Sequence, residues 1–576
     1  MELKRFITDN RAQICYLVGA GISLAPPSGI PVAASFIEGL LQFLFPEEYL
    51  SSLKALSKMR FEELISIFQK CFNNLGVIDY FTLFTKPNKN HQFLGEEIKD
   101  GKIVFTTNFD ELIEKELETL DATYNLIIQS GQQIECSDGT LLKLHGSRSN
   151  YISKEDTTDS IIATLEAIGG TNKDDSTSFQ VEDWKQQLFF HLVNEKWLIV
   201  LGYSGSDDFD ISPMLKKTTN MRGILWINHA GDKEPPSILE FYDLDHPTTD
   251  KVHLLLQEIA ECQPDLQIYY LECDTEKIID ILCPMAEVAE NDDTENEIPP
   301  FLSWLQEKCV EPSEKTKALN AIELLYSFHD YENAEKIITA SLSLELVGKE
   351  LSKLHNMLGV IKLENDVNEA RTYFEIAEKE LSPTPEEDVY EKVSIKMNKA
   401  QLHESEENYE LSIKETQECL ALLRKLKDTL YSPKDVRKID STLLTCLINL
   451  SSYTMYLKTA DRKQDLTRAK DYLKEALKIA NYLQDKRRKI IIAFYLCMFE
   501  KNSSDLIGCF DVVSHDAFAI GDMETYIDCL IQIGKMMFRV NNTVVALKAL
   551  NIAKLYCSKY GNGKKTIYID NLLKEI

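Results

Sequence analysis

The chain has 576 residues, of which 44% are hydrophobic and 27% charged, and its formal net charge at pH 7 is −29. This composition excludes a disordered or fibrous protein, and the length suits about two to four domains. The acidity argues against wrapping nucleic acid or adhering to anionic membranes, because both require a basic surface.

The cysteine pattern and the N-terminus favour a reducing compartment. Thirteen cysteines are scattered singly without a C-x-x-C pair, and Met1–Asn10 is polar and charged, unlike a signal peptide. The longest apolar runs, such as Leu198–Leu201 and Ile490–Leu496, are far shorter than the ~20 residues that span a bilayer. We therefore expect a cytoplasmic protein without a disulfide framework.

Residues 1–288 alternate short apolar runs with amphipathic stretches, which predicts a Rossmann-like α/β domain with a parallel sheet. The predicted strands are Ile14–Val18, Ile103–Phe105, Leu141–Leu144, Trp197–Leu201, Ile224–Ile227 and Ile268–Leu271. Between the first two strands, residues 46–90 are predicted to form a helical insertion because apolar residues recur there at helical spacing. The polar stretch Arg148–Ser178 is predicted to be a long excursion of loops with one helix.

The remainder of the chain is predicted to be helical. Residues 289–300 form an acidic run that ends in two prolines, which we interpret as an interdomain linker. Over residues 301–576, small residues seven positions apart predict tetratricopeptide-like helix pairs, with an irregular helical bundle as the alternative. These small residues are Ala334/Ser341, Ala370/Ala377, Ser412/Cys419, Ala469/Ala476 and Ala546/Ala553.

Four predicted strands end in loops rich in glycine or polar residues. These loops are Gly19–Ser23 with the later Gly29–Pro31, then Thr106–Asp110, Leu144–Gly146 and Gly202–Asp207. Glycines after a buried strand let the backbone approach a pyrophosphate, although a lone G-x-G is equally compatible with a tight turn. A histidine at the carboxyl end of a parallel strand lies where open α/β sheets bind ligands. Together the loops predict a site at this edge of the sheet.

The order of these motifs resembles the sirtuin family. G-A-G-I-S with G-I-P, T-T-N-F-D, L-H-G and G-Y-S-G-S-D occur in family order, and Trp226-Ile227-Asn228 is similar to the later strand that contacts the adenosine ribose. The resemblance covers roughly the first half of the chain and implies that NAD+ is the substrate.

The resemblance also implies roles for individual residues. Asn108 would position an attacking water or the nicotinamide ribose, Asp110 would engage the nicotinamide region, and His145 would act as general base. The other residues implied to bind NAD+ are Gly19, Ala20, Gly21, Ser23, Pro31, Thr107, Gly202, Tyr203, Ser204, Asp207 and Asn228.

Two departures from the family narrow the expected function. No cysteine lies between Cys136 and Cys262, so the structural zinc module of protein-deacylating sirtuins is missing and no zinc is expected. The acid and the arginine of the family's G-I-P-D-F-R motif are also missing, since Pro31 is followed by Val32 and Ala33. Zinc-free sirtuin-like domains with helical arms resemble bacterial antiphage effectors of abortive infection, which hydrolyse NAD+ to nicotinamide and ADP-ribose.

The leading hypothesis is accordingly an NAD+ glycohydrolase that is regulated through its helical arm. The arm would bind a phage-derived or operon-encoded protein trigger, or assemble the chain into a homo-oligomer. The alternatives are an NAD-dependent protein deacylase or ADP-ribosyltransferase, and a non-enzymatic scaffold that senses NAD+ or ADP-ribose. Residues 1–300 carry a net charge of −26 and residues 301–576 only −3, which makes the arm the better surface for a protein partner.

Overall fold

The computed structural model describes most of the chain as two compact units, Met1–Ala321 and Ile322–Ile576. The described residues are 2–56, 61–129, 139–161, 181–205, 211–242, 250–282, 298–343, 346–363, 365–382, 384, 388–429, 433–457, 459–483, 485–500, 503–520, 522–559 and 563–575. No helix among these residues is long and apolar enough to cross a membrane.

A seven-stranded parallel sheet forms the centre of the first unit. Its strands are β1 (Ile14–Val18), β2 (Ile103–Thr106), β3 (Tyr124–Ile127), β4 (Gly139–Lys143), β5 (Trp197–Leu201), β6 (Gly223–His229) and β7 (Gln267–Cys273). Their order across the sheet is β3-β4-β2-β1-β5-β6-β7, and every neighbouring pair is parallel. The predicted Rossmann-like class is confirmed.

The central strands are fully buried, which explains their unbroken apolar sequences. Every residue of β1 and of β5 is buried, and apolar side chains from both sheet faces belong to two separate core clusters. These two strands have the predicted bounds, whereas the other predicted strands differ by one or two residues at their ends. Only β3 was not predicted, because a four-residue strand at the sheet edge carries little pattern.

Helices cover the sheet, and the predicted insertion is helical. The α-helices of the first unit are α1 (Leu3–Asn10), α2 (Ala33–Leu44), α3 (Leu50–Lys54), α4 (Phe61–Phe72), α5 (Lys89–Lys99), α6 (Leu112–Thr119), α7 (Asp183–Leu192), α8 (Ile211–Lys217), α9 (Lys251–Cys262), α10 (Thr275–Leu282), α11 (Phe301–Lys308) and the start of α12 (Glu314–Ser327). Between α4 and α5 lies a 3-10 helix, Gly76–Leu83.

The first unit extends beyond the domain boundary predicted at residue 300. The ring of Phe301 lies 4.9 Å from that of Phe36 and 5.0 Å from that of Tyr80, whose hydroxyl donates to Pro299 O at 2.9 Å. Asn320 Nδ2 donates to the carbonyl of Leu44 at 3.1 Å. Packing of these aromatic rings places residues 301–321 with the helices of the first unit. The predicted linker lies outside the described residues except for its last three.

The second unit is helical throughout the described residues. After α12 come α13 (Tyr331–Ser341), α14 (Lys349–Leu363), α15 (Val367–Glu380), α16 (Val389–Ser405), α17 (Tyr409–Lys427), α18 (Pro433–Tyr456), α19 (Arg462–Leu483), α20 (Lys486–Cys497), α21 (Ser503–Ile520), α22 (Met523–Arg539), α23 (Thr543–Lys559) and α24 (Gly563–Glu575).

Small residues lie where paired helices meet, as the helical-repeat prediction requires. All ten predicted small residues are buried. Eight of them occur on α15, α17, α19 and α23, each the second helix of a closely packed pair, and Ala334 and Ser341 occur on α13. On α14, Ser352 Oγ donates to Ala377 O at 2.7 Å, and a Cβ at Gly359 would lie 2.5 Å from an atom of the Phe374 ring. The helical-repeat arm is thereby confirmed.

Enlarging one of these buried alanines should destabilise the arm. We expect Ala377→Leu to cost about 1–3 kcal/mol of unfolding free energy, because the added carbons have no space between α14 and α15. Urea unfolding followed by far-UV circular dichroism measures this. The control Ala421→Leu, at an exposed position of α17, should leave the transition in place. Equal transitions for both variants would contradict the close helix pairing.

Candidate functional site

The loops singled out in the sequence lie together because all strands are parallel. β4, β2, β1 and β5 are consecutive in the sheet, so the loops that follow them share one edge. Strands β2, β3 and β4 lie on one side of β1 in the sheet, and β5, β6 and β7 lie on the other side, so the strand order reverses direction at β1. Open α/β sheets bind ligands outside the carboxyl ends of their strands at such a switch point.

Glycines allow the loops after β1 and β5 to touch. Gly19 N–H donates to Leu201 O at 3.1 Å, and Gly21 N–H donates to Gly202 O at 2.9 Å. Gly202 has a φ of +60°, and a Cβ there would lie 2.5 Å from the backbone nitrogen of Ile22. These two amides already donate within the protein, so a pyrophosphate bound here needs other donors.

A buried hydrogen-bonded cluster joins the loops after β1 and β2. Ser23 Oγ donates to Asp110 Oδ2 at 2.9 Å, and Asn108 Nδ2 lies 3.2 Å from both of these oxygens. The second carboxylate oxygen of Asp110 accepts from the Leu112 N–H at 3.2 Å at the start of α6. Asn108 is 7% exposed, and its Oδ1 is buried with no hydrogen-bond donor among the described residues. Three residues predicted for the site are thus brought into contact.

His91 on α5 is part of this cluster and was not predicted. Its Nε2 lies 3.1 Å from Ser23 Oγ, and the side chain is fully buried. Burial lowers the pKa of His91 to about 4, while the nearby Asp110 opposes this shift. The spacing between Asn88 and His91 offered a signal, since a helix N-cap is often followed three residues later by a side chain that bonds back to it.

A buried ion pair holds the backbone of the second loop, and it too was not predicted. Lys143 Nζ, at the end of β4, donates to Asp110 O at 2.7 Å and to Glu114 Oε1 at 2.8 Å. Neither charged side chain is more than 2% exposed. Burial raises the pKa of Glu114, and Lys143 opposes that shift. A lysine within an apolar strand is the sequence signal, because it needs a partner when the strand is buried.

His145 lies at the same edge, two residues after β4. It is 4% exposed, and its ring centroid is 6.1 Å from that of Phe109, the neighbour of Asn108. The turn that follows needs glycine, because Gly146 has a φ of +81° and a Cβ there would lie 2.5 Å from Ser160 Oγ. A titratable imidazole is therefore buried next to the loop that carries the Asn108 amide.

The other predicted residues differ in their surroundings. Thr107 is half-buried and its N–H donates to Val18 O at 3.2 Å, while Ala20 and Ser204 are exposed. Pro31 is half-buried and lines a cavity of about 410 Å³ next to α2. These positions are accessible to a ligand.

Two predicted residues lie on the side of the sheet formed by β5 and β6. Tyr203 is buried in the core, with its ring centroid 5.8 Å from that of Trp226. Asn228 is half-buried near the end of β6, two strands from β1. Asp207 lies outside the described residues.

No group of three or more His, Cys, Asp and Glu side chains in the described part of the chain could hold a metal ion.

Comparison with known proteins identifies part of the first unit. Residues 102–240 match the family model of the SIR2-like domain, a range that includes Asn108, Asp110 and His145 but not the loop after β1. None of the curated proteins matches the chain. The part of the first unit that runs from residue 102 to residue 240 is therefore similar to a SIR2-like domain.

Solved structures show weak similarity. A Rap protein complexed with competence and sporulation factor has 12% identity and a TM-score of 0.34, covering 45% of this chain and 70% of its own. A STAND ATPase with a tetratricopeptide repeat sensor from Pyrococcus horikoshii has 11% identity and a TM-score of 0.33, covering 100% of this chain and 95% of its own.

Acidification should destabilise the protein through His91. Its pKa in the folded state is lowered to about 4, so the unfolded state binds the proton more readily. The neutral, buried His91 contributes its full stabilisation above about pH 6.5. As the pH falls towards 4, the free energy of unfolding decreases by on the order of 3 kcal/mol through this residue. We expect His91→Gln to remove this pH dependence. The free energies of urea unfolding measured at pH 7 and pH 4.5 should therefore differ less in the variant than in the wild type. The exposed His191→Gln should retain the wild-type dependence.

Removing one member of the buried ion pair should cost more than removing both. We expect Lys143→Met to lower the free energy of unfolding by about 3 kcal/mol, because Glu114 is left buried without its cation. The double variant Lys143→Met/Glu114→Leu should recover part of that loss in the same urea titration. Lys54→Met, which removes an exposed ion pair with Glu38, serves as control and should cause no measurable change. A double variant less stable than Lys143→Met would contradict the pairing.

Proposed function

We propose that the SIR2-like unit is an NAD+ glycohydrolase that cleaves the bond between nicotinamide and ribose to give nicotinamide and ADP-ribose. The observation that carries this proposal is the buried Oδ1 of Asn108, an acceptor to which no described residue donates. It lies at the switch point of the sheet, in a cluster with Ser23 and Asp110. A buried acceptor without a donor costs free energy unless a ligand supplies the hydrogen bond.

The amide of Asn108 is held in one orientation. Its Nδ2 donates to the carboxylate of Asp110 and lies 3.2 Å from Ser23 Oγ, so rotation of the amide would place Oδ1 against the carboxylate. The acceptor is therefore preorganised to orient an O–H group, either of an attacking water or of a ribose hydroxyl. Cleavage of a glycosyl bond needs a nucleophile placed in this way, since the sugar passes through a cation-like transition state.

The carboxylate of Asp110 supplies negative charge close to this acceptor. The carboxylate accepts hydrogen bonds from three donors, which are Ser23 Oγ, Asn108 Nδ2 and the Leu112 N–H. None of these three donors is a charged side chain. A fixed carboxylate in a largely buried site favours positive charge that develops on the ribose. In the proposed reaction Asp110 stabilises the cation-like sugar, and it does not act as nucleophile.

His145 is assigned the role of general base. An imidazole suits this task because its ordinary pKa lies close to neutral pH. The position of His145 supports this assignment. His145 is buried next to Phe109, and Phe109 precedes Asp110 and follows Asn108 in the loop after β2.

Binding of NAD+ must depend on local contacts. Residues 1–300 carry a net charge of −26, which repels phosphates at long range, although salt at physiological strength screens this repulsion beyond ~8 Å. Ala20 and Gly21 are exposed beside the switch point and let the pyrophosphate approach the backbone. The exposed Ser204 and half-buried Asn228 lie towards the proposed adenosine side.

Regulation by the helical arm and a role in antiphage defence belong to the same proposal. An enzyme that consumes NAD+ endangers its own cell, so its activity must wait for a signal. Stacked helix pairs present a long surface suited to a protein trigger, phage-derived or operon-encoded, or to assembly into a homo-oligomer in the cytoplasm.

The proposed chemistry predicts loss of activity in two variants. We expect Asn108→Ala and His145→Ala to lower nicotinamide release from NAD+ by about 10²–10⁴-fold, because one removes the orienting acceptor and the other the base. Chromatography of the products measures release. Controls are Asn368→Ala and His191→Ala, which alter exposed side chains and should retain wild-type rates.

The outcomes separate the candidate functions. Wild-type rates in Asn108→Ala and His145→Ala would overturn the site assignment, and binding of NAD+ with no release under any condition would favour a sensor. If the purified protein is silent because it awaits a trigger, toxicity on overexpression is the second readout. That toxicity should vanish in His145→Ala and persist in His191→Ala.

A further inference from the structure

The first turn of α5 holds the loop after β1. Asn88 Nδ2 donates to the carbonyls of Ile22 and Ala25 at 2.9 and 3.0 Å, and Asn90 Nδ2 donates to the same Ile22 carbonyl at 2.8 Å. Both asparagines are at most 4% exposed. The loop that carries Ser23 is thus anchored to a helix that contributes none of the residues predicted for the site.

A reciprocal helix cap determines which nitrogen of His91 carries the proton. The Asn88 side chain accepts from the N–H groups of Asn90 and His91 at 3.0 and 3.3 Å, and the Asn88 N–H donates to His91 Nδ1 at 3.1 Å. A nitrogen that accepts a hydrogen bond from a backbone amide cannot itself be protonated. The Ser28 hydroxyl lies 3.4 Å from the same nitrogen, so Nδ1 has two neighbours, of which the Asn88 amide can only donate. In the neutral ring the proton therefore resides on Nε2.

The position of this proton sets the direction of the hydrogen bonds in the cluster. His91 Nε2–H donates to Ser23 Oγ at 3.1 Å, so the Ser23 hydroxyl is free to donate to Asp110 at 2.9 Å. In the opposite tautomer, Nε2 would accept from Ser23, and Asp110 would lose that donor. The carboxylate that accepts from the Asn108 amide would then be held by one donor fewer, and its position, on which the orientation of Asn108 depends, would be less well fixed.

We propose that His91 is a positioning residue for cleavage of NAD+: the cap of α5 fixes its Nε2–H tautomer, which directs the Ser23 hydroxyl to Asp110 and so orients Asn108. The catalytic part of this inference rests on the proposed function, whereas the tautomer and its cause do not. Burial supports it, because a histidine whose pKa is lowered to about 4 is neutral at physiological pH.

The tautomer can be measured without any enzymatic activity. In long-range ¹H–¹⁵N spectra of ¹⁵N-histidine-labelled full-length protein, the His91 signals are those lost in His91→Gln. We expect the neutral Nε2–H pattern, without titration between pH 5.5 and 8. An Nδ1–H pattern, or titration near the ordinary pKa of histidine, would overturn the inference.

A second variant separates the cap of α5 from Ser23 as the cause of this tautomer. Ser23→Ala removes the hydroxyl but leaves the cap of α5 in place. If the cap determines the tautomer, the Nε2–H pattern should persist in Ser23→Ala while the Nε2 proton resonance shifts with loss of its acceptor. A change of tautomer in this variant would show that Ser23 determines it and would contradict the proposal.

Kinetics then test the positioning role. Gln at position 91 can accept from the Asn88 N–H and also donate to Ser23, whereas Leu can do neither. We expect His91→Leu to lower kcat for nicotinamide release by about tenfold or more with little change in KM, and His91→Gln to restore most of it. The exposed His191→Leu is the matched control. Equal kcat values for His91→Leu and wild type would refute the positioning role of His91. A wild-type protein that neither releases nicotinamide nor is toxic would refute the proposed function, but it would not change the result on the tautomer.

Discussion

The hydrogen bond from Ser23 to Asp110 is the contact on which the arrangement of the site depends. It joins the loops after β1 and β2 at the centre of the parallel sheet, and Asn108 donates to the same carboxylate. All three side chains are buried, so each polar atom needs a partner. The remaining acceptor, Oδ1 of Asn108, receives no hydrogen bond from the described residues, and we propose that a substrate supplies it.

Supporting interactions reach this cluster from elements on either side. The cap of α5 acts through His91 on Ser23, and Lys143 at the end of β4 holds the carbonyl of Asp110. Both supports are buried and polar, which makes their geometry specific, because an alternative packing would leave a charge or a donor unpaired. The proposed catalytic residues thus lie on loops, while helices and strands keep those loops in position.

Much of the fold could be predicted from patterns within short stretches. Unbroken apolar runs indicated buried parallel strands, and β1 and β5 were predicted with their observed bounds. Small residues seven positions apart indicated the helix pairs of the arm, and all of them are buried. The strand β3 was not predicted because it is short and lies at the edge of the sheet. The position of residues 301–321 could not be predicted either, because it depends on aromatic packing of Phe301 against Phe36 and Tyr80, which are far away in sequence.

The sequence by itself determined the α/β and helical-repeat classes, and it identified Ser23, Asn108, Asp110 and His145 as site candidates, because loops after parallel strands converge at one edge. Only the tertiary structure decided which groups are bonded to one another. His91 contacts Ser23, and Lys143 pairs with Glu114. The backbone amides of Gly19 and Gly21 donate to the end of β5 and to the residue that follows it. These contacts join residues 29 to 182 positions apart. No local periodicity encodes such pairs, because they arise when the sheet brings its strands into register.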